Sequence, residues 1–544
     1  MRRTLSAAEI VAKHLADAGC RHAFGIPGGE VISMIDALAE AGVDFHLTKH
    51  ENAAGFMAEG SWHMTGAPGV MVATLGPGVA NGVNVIANAW QDRVPLIVLT
   101  GCVEEAEAQT YTHQVFDHQQ MLRPITKASF KLADGAVGEI MEKALAIAMG
   151  RTGDGRPGPV HIDLPISLTR SQQPWPTGAV PRRANAKTAP AGSDLEKAQS
   201  WLAEAGAPIV IAGVDVLNHG AEQALEAFCR RFGIPLITTY KAKGVLAEDD
   251  PLSLGGAGLS PKADGVLMPL IKEADLILCI GYDPIEMRTG WRNPWHPDSQ
   301  RVIELTAEAN THSMHQSTLS FVCDIAAGLE VLGQVTQMRE RVWKRGEPVR
   351  AREALGKAFA ANEEWGPAAV IETARQTLPR DTIATVDSGA HRILLSQMWH
   401  CYQPRQLLQS SGFCTMGGAL PLAIGAKKCA PEAPVVCFTG DAGLEMVLGE
   451  LATARDLKTP VVVVVFVDAS LALIEMKQRG AKLKNVGVDF DETNFAALAD
   501  AMGGNGVTVD NRLDLAEALS GAIKRDRFTV IAARIPRKSY DGRL

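Results

Sequence analysis

Ala433-Pro-Val-Val-Cys-Phe-Thr439 runs into Gly440-Asp441-Ala442-Gly443, and a helix-like run follows from Leu444 to Leu457. Then comes Val461-Val-Val-Val-Val-Phe-Val467, closing in Asp468-Ala469-Ser470. Two apolar runs of strand length flanking a helical run read as a parallel βαβ unit. Such a unit turns both strand ends the same way. Asp441 and Asp468, 27 residues apart, would meet at the carboxyl edge of a sheet, where open α/β folds bind ligands. A carboxylate there, beside a helix N-terminus and small residues, suits a divalent cation that carries a diphosphate. Taken alone, the unit could as well be a strand–helix turn with a capping Asp. The rest of the chain decides.

At 544 residues the chain exceeds one core, and two to four domains are expected. An apolar share of 46 % fits a soluble globular protein, and many glycines with few aromatics fit α/β domains with frequent strand–helix turns. A net charge of −8 gives no electrostatic reason to expect nucleic acid or an anionic membrane as partner. The nine cysteines are odd in number and contain no C-x-x-C pair, which reads as reduced, buried thiols of a cytoplasmic protein. The N-terminus has no apolar signal core. No apolar run reaches the roughly 18–20 residues needed to span a bilayer.

Strand-like and helix-like patterns alternate nearly throughout, which predicts α/β domains with doubly wound parallel sheets. Residues 169–193, rich in Pro, Ser, Thr and Gln, read as a linker, and the basic stretch 337–353 reads as a helix end plus a second linker. Three blocks result, 1–168, 190–335 and 354–535. In the first, Thr4–Ala18 reads as an amphipathic helix, and strands fall at 22–26, 69–74, 95–100 and 160–164. The second has strands at 208–212, 235–239, 276–280 and 301–305. The third has them at 382–386, 434–438, 461–467 and 529–533.

Segments from both outer blocks, in order, resemble the pyruvate-decarboxylase and acetolactate-synthase superfamily of thiamin diphosphate enzymes. Lys49-His50-Glu51-Asn52-Ala53-Ala54 is similar to that family's Arg-His-Glu-x-x-Ala segment. The resemblance implies that Glu51 bonds N1′ of the cofactor's aminopyrimidine and favours the tautomer whose N4′ takes the C2 proton. Burial should raise the acid's pKa so that it can carry a proton near neutral pH. Thr74-Leu-Gly-Pro-Gly-Val-Ala-Asn81 resembles the Gly-Pro-Gly-x-x-Asn turn, and 87–95 the Ala-x-x-Asp-x-x-Pro helix end. His113-Gln114-Val-Phe-Asp117-His118 is similar to a substrate-facing segment in which acetolactate synthases and benzaldehyde lyase carry a Gln near the reacting carbon, here Gln114. His113, next to it, is a second candidate. His118 is more naturally a core or surface residue, and Glu30 lies near where decarboxylases place acid–base groups.

In the third block, Asp387-Ser-Gly389-Ala390-His391 resembles the loop that meets the diphosphate, and Ser410-Ser-Gly-Phe-Cys414-Thr415-Met416-Gly417-Gly418 the segment that props the cofactor. Met416 would be the prop. Cys414 stands where the family usually has a Gly whose carbonyl binds the aminopyrimidine. The turn Gly440-Asp441-Ala442-Gly443 begins the diphosphate motif. Asp441, Asp468 (usually Asn) and the carbonyl of Ser470 would hold Mg²⁺. The resemblance implies pyrimidine-binding, central and diphosphate-binding domains. It also implies a homodimer or homotetramer with active sites at the subunit interface and a small-molecule 2-oxo acid as substrate. Gly281-Tyr-Asp-Pro-Ile-Glu-Met-Arg288 departs from the Arg-Phe-Asp-Asp-Arg segment of the flavin-binding synthases, so FAD is not expected. The expected activity is acetolactate-synthase-like: a 2-oxo acid is decarboxylated and the acyl carbanion passed to a second carbonyl. Simple 2-oxo acid decarboxylation and benzaldehyde-lyase-type cleavage are the alternatives. The extra histidines and the short tail after Ala533 point towards these.

Overall fold

Val- and Ile-rich runs bounded by Gly, Pro and Asp form the inner strands of three parallel sheets of six strands each. The computed structural model describes residues 4–104, 106–152, 155–175, 186–310, 314–335 and 342–544. The first sheet contains β1 (His22–Gly25), β2 (Asp44–Leu47), β3 (Gly69–Ala73), β4 (Leu96–Cys102), β5 (Ala128–Lys131) and β6 (Pro159–Pro165), in the order β2-β1-β3-β4-β6-β5. The second contains β7 (Pro208–Ala212), β8 (Leu236–Thr239), β9 (Ser253–Ala257), β10 (Leu276–Ile280), β11 (Arg301–Thr306) and β12 (Leu319–Val322), in the order β9-β8-β7-β10-β11-β12. The third contains β13 (Ile383–Val386), β14 (Leu407–Gln409), β15 (Val435–Gly440), β16 (Val462–Val467), β17 (Asn505–Val509) and β18 (Thr529–Arg534), in the order β14-β13-β15-β16-β18-β17. The outer sheets therefore share one topology. The central sheet has the 3-2-1-4-5-6 order of dinucleotide-binding folds. The fold class is α/β, as the alternation of patterns predicts.

Helix Glu51–Thr65 is buried along most of its length because it lies between the first sheet and helix Ala419–Cys429 of the third domain. The two helices approach almost backbone to backbone. A Cβ on Gly60 would lie 2.5 Å from the Leu422 carbonyl oxygen, and one on Gly425 would lie 2.0 Å from that of Met57. One continuous core results, with Phe24, Met57 and Val98 on one side and Leu422, Val435 and Val463 on the other.

Several local expectations change. The run expected to be helical from Thr4 starts as a strand, Thr4–Ser6, which pairs antiparallel with Gln172–Pro174 in the expected linker. Ser6 then caps helix Ala7–Asp17 in a reciprocal capping box with Glu9. The run from Leu444 to Leu457 breaks into helices Asp441–Glu445 and Glu450–Asp456. In the second expected linker, Glu347–Ala358 is helical behind Gly346, while residues 336–341 lie outside the described residues, as do 176–185. Among the described residues no helix is long and apolar enough to cross a membrane.

Candidate active site

The register of β15 on β16 sets Gly440 opposite Phe466, so the residues that follow the two strands meet at the carboxyl edge. Asp441 Oδ2 accepts the N–H groups of Asp468 (3.1 Å) and Ala469 (2.7 Å), and its Oδ1 accepts that of Ala442 (2.8 Å). The Asp468 Oδ2 atom is buried and has no hydrogen-bond partner. Burial, and then the facing Asp441, push Asp468 up to about 7; burial raises Asp441 as well. Two buried, mutually repelling carboxyls with an unpartnered oxygen fit a hard divalent cation. Ser470, two residues on, donates its hydroxyl to Asp489 Oδ1 at 2.7 Å. A cavity of about 400 Å³ opens beside this pair, lined by Asp468, Ser470, Asp489, Arg537 and Tyr540 among others.

Asp387, at the end of β13, organises the neighbouring loops. Its Oδ2 accepts the Gly417 N–H (2.7 Å) and the Thr439 hydroxyl (3.1 Å), and its Oδ1 accepts from His391 Nε2 (3.0 Å). Gly389 caps helix Ala390–Met398, and the His391 ring stacks on Phe466. Half-buried Met416 is thus anchored through Gly417. Cys414 has φ 57°, the left-handed conformation that a glycine adopts freely, so the substituted chain keeps the glycine backbone. Its thiol donates to the Ser411 carbonyl at 2.8 Å and accepts from Arg392 at 3.2 Å.

On the first sheet, Glu51 opens its helix and is 6 % exposed. Asn81 Nδ2 donates to Glu51 Oε2 at 3.0 Å. Asn81 ends the short helix Pro77–Asn81, which starts at Gly76 (φ 65°). Gln114 is exposed, with φ 60°, and its carbonyl covers Gly76 so closely that a Cβ there would lie 2.4 Å away. His113 is exposed beside Tyr111. Glu30 accepts the Thr74 hydroxyl at 2.5 Å. His118 is buried behind the Gly76 turn.

The two edges touch but do not merge within one chain. Asn84 donates to Asn52 (3.0 Å) and to Thr415 (3.2 Å), linking the two walls. Among the described residues, no hydrogen bond or ion pair joins Glu51 to Asp441 or Asp468. A three-domain node lies behind. Asp92 accepts the N–H groups of Ser411 (3.1 Å) and Gly412 (2.7 Å) and pairs with Lys241 of the central domain (2.8 Å). Arg93 enters the central domain, pairing with Asp215, with Asp283 (2.7 Å) and with Glu308 (2.8 Å). This is the switch point of the central sheet, where a dinucleotide's diphosphate would sit. The backbones that follow the two strands run close together there: a Cβ on Gly213 would lie 2.5 Å from the Gly281 carbonyl oxygen.

The motif segments contain Asn81, Asp92, Arg93 and Asp387 but do not point to these partners, and Lys241 and Arg537 lie outside every motif. Apart from the Asp387–His391 bond, between residues four apart, these contacts join residues far apart in the chain, and no local pattern marks them.

Three family profiles match the chain. They are the thiamine pyrophosphate enzyme N-terminal TPP binding domain over residues 5–121, the central domain over 195–332 and the C-terminal TPP binding domain over 387–533. Full-length relatives include acetolactate synthase isozyme 3 large subunit of Escherichia coli (strain K12), 29 % identical over 96 % of this chain and 93 % of the relative. Acetolactate synthase of Bacillus subtilis (strain 168) is 29 % identical over 96 % and 92 %. A probable 2-ketoarginine decarboxylase of Pseudomonas aeruginosa is 30 % identical over 92 % and 89 %. With these three domains in this order, the chain belongs to the acetolactate synthase and pyruvate decarboxylase superfamily and is a thiamin diphosphate-dependent carboligase or decarboxylase.

Proposed function

We propose that the chain, with thiamin diphosphate and Mg²⁺ bound, decarboxylates a 2-oxo acid and transfers the acyl unit to a second carbonyl, in the manner of an acetolactate synthase. The cofactor supplies a carbon nucleophile and a sink for the electron pair left by CO₂. The protein binds, orients and moves protons. Asp441, Asp468 and the Ser470 carbonyl hold the cation; Gly389, Ala390, His391 and Gly440, Ala442 and Gly443 line the diphosphate. The Cys414 carbonyl and Met416 meet the aminopyrimidine, and Glu51 exchanges a proton with its ring nitrogen. Gln114 and His113 face the substrate. The observation that carries this reading is the buried Glu51 carboxyl held by Asn81. A protein that had kept the fold but lost proton chemistry would have little use for a buried acid there.

Glu51 and Asp441 stand on separate sheets, so the complete site is assigned to the first domain of one copy and the third domain of another, in a homodimer or homotetramer. Exposed Leu47, Phe116, Phe413 and Met446, next to the two edges, support such a contact. Residues 1–168, 190–335 and 354–535 are taken as the pyrimidine-binding, central and diphosphate-binding domains. Arg93, paired with three carboxylates at the central switch point, supports an enzyme without FAD. All nine cysteines are free, as suits a cytoplasmic protein.

A second reading, simple decarboxylation, is favoured by the Pseudomonas relative, whose name is that of a decarboxylase. Product analysis separates the two. The purified protein is given thiamin diphosphate, Mg²⁺ and pyruvate, then bulkier and cationic 2-oxo acids. Acetolactate or acetoin with CO₂ establishes carboligation. Aldehyde with CO₂ establishes decarboxylation, and cleavage of an acyloin the lyase alternative. No turnover of any 2-oxo acid or acyloin rejects the proposal.

A further inference from the structure

His118 is 5 % exposed and stands behind the wall that carries Glu51. Its Nδ1 lies 2.8 Å from Asp163 Oδ1. Its Nε2 accepts the backbone N–H of Gly76 at 3.2 Å. A backbone N–H can only donate and a carboxylate can only accept, so the ring is neutral and carries its proton on Nδ1. Asp163 is itself fixed by the Thr100 hydroxyl at 2.7 Å. Burial pulls the Asp163 carboxyl up, but hydrogen bonds from His118 and His161 outweigh it and hold the group well below the usual carboxylate range. The neighbouring His161 is engaged at both nitrogens, by Thr100 and Ser129, both at 2.7 Å. All four ring nitrogens thus have partners, and the cluster is a hydrogen-bond relay rather than a metal site.

Gly76 is the residue from which helix Pro77–Asn81 starts, and its carbonyl accepts the Ala80 N–H at 3.0 Å. Pro77 occupies the first turn of that helix, and Asn81, its last residue, donates to Glu51. Gly76 sits in the left-handed region and is covered by the Gln114 carbonyl, so its N–H is buried and would be orphaned without an acceptor. The imidazole supplies that acceptor.

We infer that Asp163 and His118 form a positioning relay that fixes the Gly76 turn and, through helix Pro77–Asn81, sets Asn81 and the Glu51 carboxyl for proton exchange with the cofactor. His118 touches neither cofactor nor substrate. Its contribution passes through one backbone N–H and a five-residue helix. The inference rests on the reading of Glu51 as the cofactor's acid.

The test uses side chains that each reproduce one nitrogen. In His118→Gln the amide reaches the Nε2 position and can still accept from Gly76. In His118→Asn it reaches the Nδ1 position and can still donate to Asp163, but leaves Gly76 unbonded. His118→Phe keeps the shape and neither bond. The readouts are hydrogen–deuterium exchange at C2 of bound thiamin diphosphate, kcat, and cofactor Kd on the full chain with Mg²⁺. The glutamine variant should keep most of the exchange rate. The asparagine and phenylalanine variants should lose about 100-fold in exchange and kcat with Kd little changed, the scale of a misplaced catalytic group. Equal exchange in all three, or a glutamine variant as slow as phenylalanine, overturns the relay. A parent protein that exchanges C2 no faster than free cofactor overturns instead the reading of Glu51. Should the variants fail to fold, ¹⁵N spectra of histidine-labelled parent protein decide: a proton on His118 Nε2 rather than Nδ1 sinks the inference.

Discussion

Glu51 shows how much one buried residue carries. Gln at this position keeps the size of the side chain and its bond from Asn81 but cannot give or take a proton. Glu51→Gln should bind thiamin diphosphate nearly as well as the parent and lose about 10²- to 10⁴-fold in kcat, the usual range for a general acid–base group. Steady-state kinetics beside a binding titration checks this, and unimpaired turnover would remove Glu51 from the mechanism. Glu51, Asp441 and Asp468 could all be picked out from local segments, because strand ends and helix starts are written in short stretches of chain. Their partners could not. Asn81 lies 30 residues from Glu51, and Asp387 lies 52 from Thr439. Cys414 was legible as a departure from glycine, whereas its left-handed backbone, held by Arg392 and Ser411, was not.

At the scale of elements, the strands read from the chain are the inner ones. Ala128–Lys131, Ser253–Ala257, Leu319–Val322, Leu407–Gln409 and Asn505–Val509 went unread, and each is an edge strand of its sheet. Strands covered on both faces need unbroken apolar runs, while these edge strands are short and interrupted by polar residues or glycine, so their composition resembles a loop. The edge pairing of β2 on β1 also buries a titratable pair. His46 lies 2.9 Å from His22, and burial, then His22 and Lys428, holds it down to about 4. The folded state therefore binds fewer protons here than the unfolded chain, whose histidines titrate near 6.5. Stability from this group is full above about pH 6.5 and falls by up to about 1.4 kcal/mol per pH unit as pH drops towards 4. Urea unfolding of His46→Gln at pH 7 and pH 5 should show a smaller pH difference than the parent. An equal or larger difference would refute this.

At the scale of the whole molecule, the central domain is tied down where its sheet order would admit a dinucleotide. Arg93 gathers Asp215, Asp283 and Glu308 in a buried site, so Arg93→Leu leaves three carboxylates facing one another. The variant should lose about 3–5 kcal/mol of stability, as expected when one side of a buried ion network is removed. The parent protein, incubated with FAD and desalted, should show no flavin absorbance. Stoichiometric flavin would refute an enzyme without FAD. The C-terminal tail is a second tie. Arg537 donates to the Asp468 carbonyl (3.2 Å) and the Ala469 carbonyl (3.0 Å), Tyr540 is buried nearby, and Lys262 of the central domain donates to the Gly542 carbonyl at 2.9 Å. The short tail thus braces the loop that carries Asp468. Removing charge-assisted bonds of this kind costs on the order of 1.5 kcal/mol. Arg537→Ala should therefore weaken Mg²⁺ and cofactor binding about tenfold by calorimetry. Unchanged affinities would reduce the tail to packing.

Local stretches of chain suffice for the α/β class, the inner strands, and the turns that carry Glu51, Asp441 and Asp468. Each of these is encoded in a run of ten to thirty residues, through hydrophobic period and turn chemistry. Tertiary contacts were needed to see that the outer sheets share one topology, that Arg93 enters the central switch point, and that buried His118 accepts the Gly76 N–H. The last two rest on contacts between residues 42 to 215 apart, where whole domains settle against each other. What a side chain does there depends on which partner the fold brings to it.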